Sequence, residues 1–168
     1  MRTDLIAGQN CSIARAAAVV GDPWSLLVVR EAFLGSRRFA EFVELTGAQP
    51  SVVSDRLKRL VASGILERLR YEERPPRDEY RLTTKGRDLQ PILLALTTWG
   101  DRYLEQGDGV PVVHHHVDCG HPADPTLVCG HCGEPLTTAN VRSVPGPGAD
   151  AAAVAHRAAV LSARRTQP

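Results

Sequence analysis

Apolar and polar positions change their spacing three times along this chain. Up to about residue 64 apolar residues recur at three- and four-residue intervals; they then alternate loosely to about residue 83, return to the helical interval, and lose any period beyond Gly107. The first stretch reads as short helices with marked ends. Asn10 is placed to cap a helix from Cys11 to Val20 that Gly21 closes, and Asp22 to cap the next, with Pro23 in its first turn. That second helix, PWSLLVVREAFLG, is apolar nearly all round and should lie at the centre of a small bundle. FAEFVELTG follows as a short helix with Phe39, Phe42 and Val43 on one side and Gly47 at its end. In PSVVSDRLKRLVASG the residues Val53, Leu57, Leu60 and Val61 face inward and Gly64 terminates. Two helices separated by so few residues predict a helix-turn-helix.

ILERLRYEE and DEYRLT alternate, and ERPPR between them holds two stiffening prolines, which predicts a two-stranded hairpin. Three helices followed by a hairpin make a winged helix, so the expected fold is mainly α with a small β component. A long helix is expected from about Thr84 to Gln106, kinked near Pro91, with Leu89, Ile92, Leu93, Leu96, Trp99 and Tyr103 in one apolar stripe. Such a stripe outside a completed bundle needs cover, from its own domain or from a second copy. The second copy is the expectation adopted, with the small-residue face of Cys11 to Val20 as a further helical surface. The expected organisation is a DNA-binding and dimerisation domain at 1–106, a small β appendage at 107–144, and a linker with an Ala-rich tail at 145–168, a fraying helix or disordered.

The length of 168 residues allows one domain plus an appendage, and 43% hydrophobic with 23% charged residues excludes a chain too polar to bury a core. The net charge of +1 does not decide for or against nucleic acid, since only one face needs to be basic. MRTDLIAGQN lacks the apolar core of a secretory signal, and no apolar run approaches the roughly 20 residues that span a bilayer. A cytoplasmic location without membrane contact is therefore expected. Thiols are kept reduced there, so the four cysteines read as metal ligands or reactive groups rather than disulfides.

CSIARAAAVVGDPWSLLVVREAFLGSRRFAEF, SVVSDRLKRLVASGILER, PPRDEYRLTTKG and the helix with LTTWG, spread over Cys11 to Tyr103, together resemble the HxlR-type winged-helix transcriptional regulators, relatives of the MarR group. The resemblance implies a regulator rather than an enzyme: a homodimer on a near-palindromic double-stranded operator, acting as a repressor. It also implies a small-molecule or electrophile inducer, because some members respond to oxidants through a cysteine at the position of Cys11. A thiol at a helix start is favoured as thiolate by the helix dipole, which makes Cys11 the candidate sensing residue; a small residue filling the N-terminal helix is the plain reading. Ser12 departs from the family, which usually has Pro there, and Asp78 stands where an apolar residue is common, which should weaken the packing of the wing.

On the outward face of the second helix of the helix-turn-helix, Ser51, Ser54, Asp55, Lys58 and Arg59 are the candidate DNA contacts, with Arg56 at the margin. Gln49 and Ser51 are the candidate base readers; Lys58 and Arg59 would meet phosphate, and Asp55 would accept from a cytosine amino group or orient a neighbouring arginine. The hairpin adds Arg68, Arg70, Arg74, Arg77 and Arg81, of which Arg74 and Arg77 flank Pro75-Pro76. A stiff cationic tip suits the minor groove or the phosphate ridge. Glu72, Glu73, Asp78 and Glu79 lie among these arginines, and an ordinary solvated surface is the competing reading.

Five of the six histidines fall between positions 114 and 132, together with Cys119, Cys129 and Cys132. His116-Val117-Asp118-Cys119-Gly120 and Cys129-Gly130-His131-Cys132-Gly133 share one form: ligand, two residues, cysteine, glycine. Two such turns would give one structural zinc site of His116, Cys119, Cys129 and Cys132, as in a zinc ribbon, with His121 as substitute for His116 and His114, His115 and His131 as weaker candidates. Two other uses stay open for CGHC. It resembles the disulfide-exchange motif of protein disulfide isomerases, although Val128 precedes it and no βαβ pattern surrounds it, and it could be two reduced thiols in a hairpin. The alternatives to a DNA-binding regulator are accordingly a thiol-disulfide redox protein and a zinc-ribbon interaction module.

Overall fold

A computed structural model describes residues 7–74, 76–104, 107 and 109–163. Its elements are α1 (Ser12–Val20), α2 (Pro23–Phe33), α3 (Phe39–Thr46), α4 (Pro50–Ala62), β1 (Leu66–Glu73), β2 (Pro76–Leu82), α5 (Thr84–Arg87), α6 (Gln90–Tyr103) and α7 (Ala151–Ala163). Helices α1 to α4 with the β1–β2 hairpin form a winged helix, as the spacing predicts.

The helix ends follow from local chemistry. Asp22 caps α2, its Oδ1 accepting the Ser25 N–H at 3.1 Å, and Pro23 occupies the first turn. Gly47 leaves α3 with φ 68°, a backbone conformation that side chains resist. The cap of α1 differs from expectation: Cys11 holds that position without a side-chain bond, while Asn10 donates its amide to the Gly148 carbonyl at 2.8 Å. The helix α2 turns Val28 and Val29 to the core, while Trp24 in its first turn stays 36% exposed.

Val28, Val29, Phe42, Ala48, Val53, Leu57, Leu60, Ile65 and Leu66 make one apolar core shared by α2, α3, α4 and the start of β1. The strands pair antiparallel from Leu66 with Leu82 to Glu73 with Pro76, with a bulge between Arg70 and Glu72. The segment before α3 extends this sheet: the Tyr80 N–H donates to the Arg37 carbonyl at 2.7 Å and Arg38 bridges Glu79. Tyr80 also meets Phe42 edge to face, which fastens the wing to the core.

The expected helix from Thr84 to Gln106 is two helices. Thr83 Oγ1 accepts the Gly86 N–H at 3.0 Å and the Thr83 N–H donates to the Ile65 carbonyl at 3.1 Å, so α5 is anchored against the end of α4. Pro91 has no N–H for a continuous ladder, so it stands in the first turn of a new helix, where that donor has no partner to lose, rather than kinking one. That helix ends at Tyr103, and Gln106 lies outside the described residues. Leu89 and Leu93 pack on the core, whereas Ile92, Leu96, Trp99 and Tyr103 are 47% to 63% exposed, so most of the stripe is left uncovered by the described residues.

Residues 109–144 form no strand. VPVVHHHVD and TLVC contribute only isolated bridges, His115 with Pro122 and Val128 with Pro135, because each segment turns back after two residues instead of meeting a long partner. The tail forms α7, its described side chains exposed. Among the described residues no single helix is long and apolar enough to cross a membrane.

Candidate nucleic-acid interface

The outward face of α4 is set by what its inward face buries. With Val53, Leu57 and Leu60 fully inside, Ser51, Lys58 and Arg59 are exposed, and Ser54 and Asp55 are half-buried beside them. Gln49 is the exposed cap residue of α4: its carbonyl accepts the Val52 and Val53 N–H groups at 2.9 and 3.1 Å, and its side chain makes no capping bond. The side chains of Gln49 and Ser51 therefore stand at the free end of a 13-residue helix, where N–H groups and the helix dipole favour phosphate.

Arg56, at the margin in the sequence reading, organises this surface. Its Nε and Nη2 donate to the two carboxylate oxygens of Asp22 at 2.6 and 3.1 Å, tying the start of α2 to the middle of α4, and its Nη1 donates to Asp55. Arg59 Nε lies 2.8 Å from the same Asp55 oxygen. Asp55 thus orients two arginines rather than standing free for a base. Partial burial pushes the Asp22 carboxyl up, but the Arg56 hydrogen bond, the Ser25 N–H, the Arg56 charge and the Trp24 N–H outweigh it and hold it below the usual carboxylate range. The cap at Asp22 was legible in sequence; its partner 34 positions away left no local signal.

Charges in the wing are largely matched. Arg68 and Arg70 both pair with Asp78, Arg77 Nε is 3.3 Å from Glu72, and Arg81 pairs with Glu79. Five arginines between 67 and 81 face five carboxylates, Glu67, Glu72, Glu73, Asp78 and Glu79, so the hairpin is neutral as a whole. Arg74, in the turn between the strands, makes no ion pair among the described residues, nor does Lys58 on α4. Asp78 does not weaken the wing as expected: it is the shared acceptor of two arginines, and the Arg68 hydrogen bond holds its carboxyl below the usual range. Pro75 lies outside the described residues.

Cys11 is exposed at the cap of α1. In the appendage His116 Nδ1 and Cys119 Sγ are 3.2 Å apart. The Cys132 and His131 N–H groups and the Cys132 thiol face the Cys129 sulfur and hold that thiol below the usual cysteine range. Each half of the expected zinc clip is formed, but the two halves are not brought together: among the described residues no three His, Cys, Asp or Glu side chains converge as metal ligands. CGHC sits in a turn that closes through the Val128–Pro135 bridge and does not open a helix, as a disulfide-exchange motif would.

The model of the HxlR-like helix-turn-helix family matches residues 19–108. A Mycobacterium tuberculosis protein described as an HTH-type transcriptional regulator of uncharacterised role is 46% identical over 137 residues, covering 82% of this chain and 87% of the relative. That alignment is longer than the winged helix, so it runs into the appendage. Among solved structures, a candidate transcription factor, PA1607, has a TM-score of 0.75 at 36% identity, with 83% of this chain and 98% of that one covered. The redox regulator HypR in its oxidised form has a TM-score of 0.52 at 32% identity, covering 55% of this chain and 96% of its own. An exposed recognition helix beside a hairpin, and a family match over that region, lead to one assignment: this chain belongs to the HxlR-like helix-turn-helix family of transcription regulators.

Proposed function

We propose that the protein binds a near-palindromic operator as a homodimer and represses transcription from it. The observation that carries this reading is the presence of two exposed surfaces: the polar face of α4, whose Lys58 makes no ion pair among the described residues, and the apolar stripe Ile92, Leu96, Trp99 and Tyr103 on α6. A second copy packed on that stripe would place two recognition helices in successive major grooves. Gln49 and Ser51 would read bases, with Ser54 alongside; Lys58, Arg59 and Arg74 would meet phosphate. Arg70 and Arg77 enter as weaker contacts, since each must leave a carboxylate first. The signal that relieves binding would be a thiol-reactive or other small molecule, supported by the exposed Cys11 and by a structural relative described as a redox regulator.

A gel-shift series on a fragment selected from the native genome tests the reading. Arg74→Ala should weaken binding on all sequences and lower the salt slope by about one per copy, about two for the dimer, while Gln49→Ala should change site preference. Diamide should weaken binding in the wild type and not in Cys11→Ser. An unchanged salt slope for Arg74→Ala removes the wing contact, and equal affinity with and without diamide removes Cys11 as sensor.

A further inference from the structure

The two cysteine turns of the appendage are copies of one backbone motif, offset by 13 residues. In the first, the His116 N–H donates to the His121 carbonyl at 2.9 Å, the Gly120 N–H to the His116 carbonyl at 2.8 Å and the Ala123 N–H to the His114 carbonyl at 2.7 Å. In the second, the Cys129 N–H donates to Glu134, the Gly133 N–H to Cys129 and the Leu136 N–H to Leu127, each at 2.8 Å. Gly120 and Gly133 share a left-handed φ of 72° and 77°, and the bridges His115–Pro122 and Val128–Pro135 occupy the same place in each copy. Repetition of a backbone places the side chains of equivalent positions alike. Position 116 is therefore the counterpart of 129, and 119 the counterpart of 132.

We propose that these two turns close on one structural zinc ion held by His116, Cys119, Cys129 and Cys132. Three thiols would lose their protons to solvent, and the neutral imidazole would supply the fourth donor. His116, rather than His121, is the nitrogen ligand on two grounds. The offset maps His121 onto Glu134, outside the ligand pattern, and its Nδ1 already lies 2.8 Å from the Cys119 carbonyl. His116 Nδ1 lies 3.2 Å from Cys119 Sγ, close to the edge of about 3.5 Å that zinc bond lengths give a tetrahedron. Its Nε2 is 3.7 Å from the Asp118 carboxylate, placed to steady the ring from behind.

Closure meets little resistance. The turns are joined by Asp124-Pro125-Thr126 alone, and no residue from 109 to 144 is buried, so bringing them together disrupts no apolar core. The same absence of a core leaves a cross-link as the device that would unite two turns that otherwise each stand on three backbone bonds. Three soft sulfurs with one imidazole and no open position suit zinc in a structural role rather than magnesium or calcium.

The test uses the full chain, purified under reducing conditions, with zinc alone as the probe. One zinc per chain is expected by elemental analysis, and cobalt substituted for it should give the visible spectrum of a tetrahedral site with three thiolates. Cys119→Ser, Cys129→Ser, Cys132→Ser and His116→Ala should each lose the stoichiometric metal, while His121→Ala should keep it; an unchanged far-ultraviolet melt of the winged helix in every variant separates lost ligation from lost folding. A wild-type chain that neither carries nor takes up zinc overturns the proposal, and so does iron in its place. Loss of metal in His121→Ala with retention in His116→Ala overturns the ligand assignment.

Discussion

The winged helix and the appendage hold their shapes by opposite means. In the first, Phe42, Leu57, Leu60, Leu66, Val28, Val29 and Val53 are each less than 2% exposed, and burial of that kind stabilises by roughly 1.5–3 kcal/mol per side chain. In the second nothing is buried between 109 and 144; Val117 is 92% exposed and Leu127 71%. What remains there is turn geometry and a few backbone hydrogen bonds, worth only about 0.5–1.5 kcal/mol each. The difference separates a part of the sequence that specifies structure through many weak apolar contacts from a part that specifies it through local backbone bonds in tight turns.

The largest effect that would break this comparison comes from Phe42→Ala. Phe42 touches both the helical core and, edge to face at 6.2 Å between ring centroids, Tyr80 of the wing. Its truncation should cost about 3–5 kcal/mol, a large share of a domain stability of about 5–15 kcal/mol. The expected outcome is a much lower melting temperature and loss of amide-exchange protection from α2 to β2. Protection of the Gly120 and Gly133 amides should not change. If both regions lose protection together, they are one cooperative unit and the contrast fails.

This contrast also governs what could be read from the sequence. Helices α2 and α4 were legible because caps, period and terminating glycines all act within a turn or two, and the outward residues of α4 followed from the inward ones. The separate anchoring of α5 was not, because it depends on a bond from the Thr83 N–H to the carbonyl of Ile65, 18 positions earlier. The Asp22–Arg56 tie and the pairing of Arg77 with Glu72 were hidden for the same reason: charge partners are chosen in space. In the appendage, the valine-rich composition of VPVVHHHVD and TLVC suggested strands, but such a segment makes a strand only where a partner is long enough to pair with it. The repeat of ligand, two residues, cysteine, glycine was legible because its hydrogen bonds are all local.

A smaller effect sharpens the same line. A Cβ on Gly86 would lie 2.2 Å from the Ile65 carbonyl oxygen and 3.0 Å from Leu82 Cδ2, so backbone must move to admit it. Gly86→Ala should cost about 1–3 kcal/mol by overpacking, seen as a lower thermal midpoint. Gly130, in the appendage, has nothing within 4 Å of such a Cβ, and Gly130→Ala should leave the midpoint unchanged. A neutral Gly86→Ala would mean that α5 is not pressed on the end of α4 in solution.

The smallest effect asks whether the winged helix owes any of its cohesion to charge. Asp22 caps α2 and receives both Nε and Nη2 of Arg56, and its carboxyl is held below the usual range in the folded chain. A depressed folded value means that its contribution is fully present above the range where an unfolded carboxylate titrates, and is lost as pH falls through the depressed value. Its side chain is 38% exposed, so solvent screening limits the ion pair to the low end of about 0.2–1 kcal/mol. Asp22→Asn keeps an oxygen to accept the Ser25 N–H and removes only the charge. The variant should melt slightly below the wild type at neutral pH, and the gap should close as acid protonates Asp22. Glu41 and Asp78, also held below their usual range, titrate in both proteins and cancel in the difference; Asp55, which faces Arg56 from α4, is likewise common to both. The absence of a gap at any pH would assign the role of Asp22 to capping alone, which Asn still performs, and leave the joint between α2 and α4 as apolar as the core beneath it.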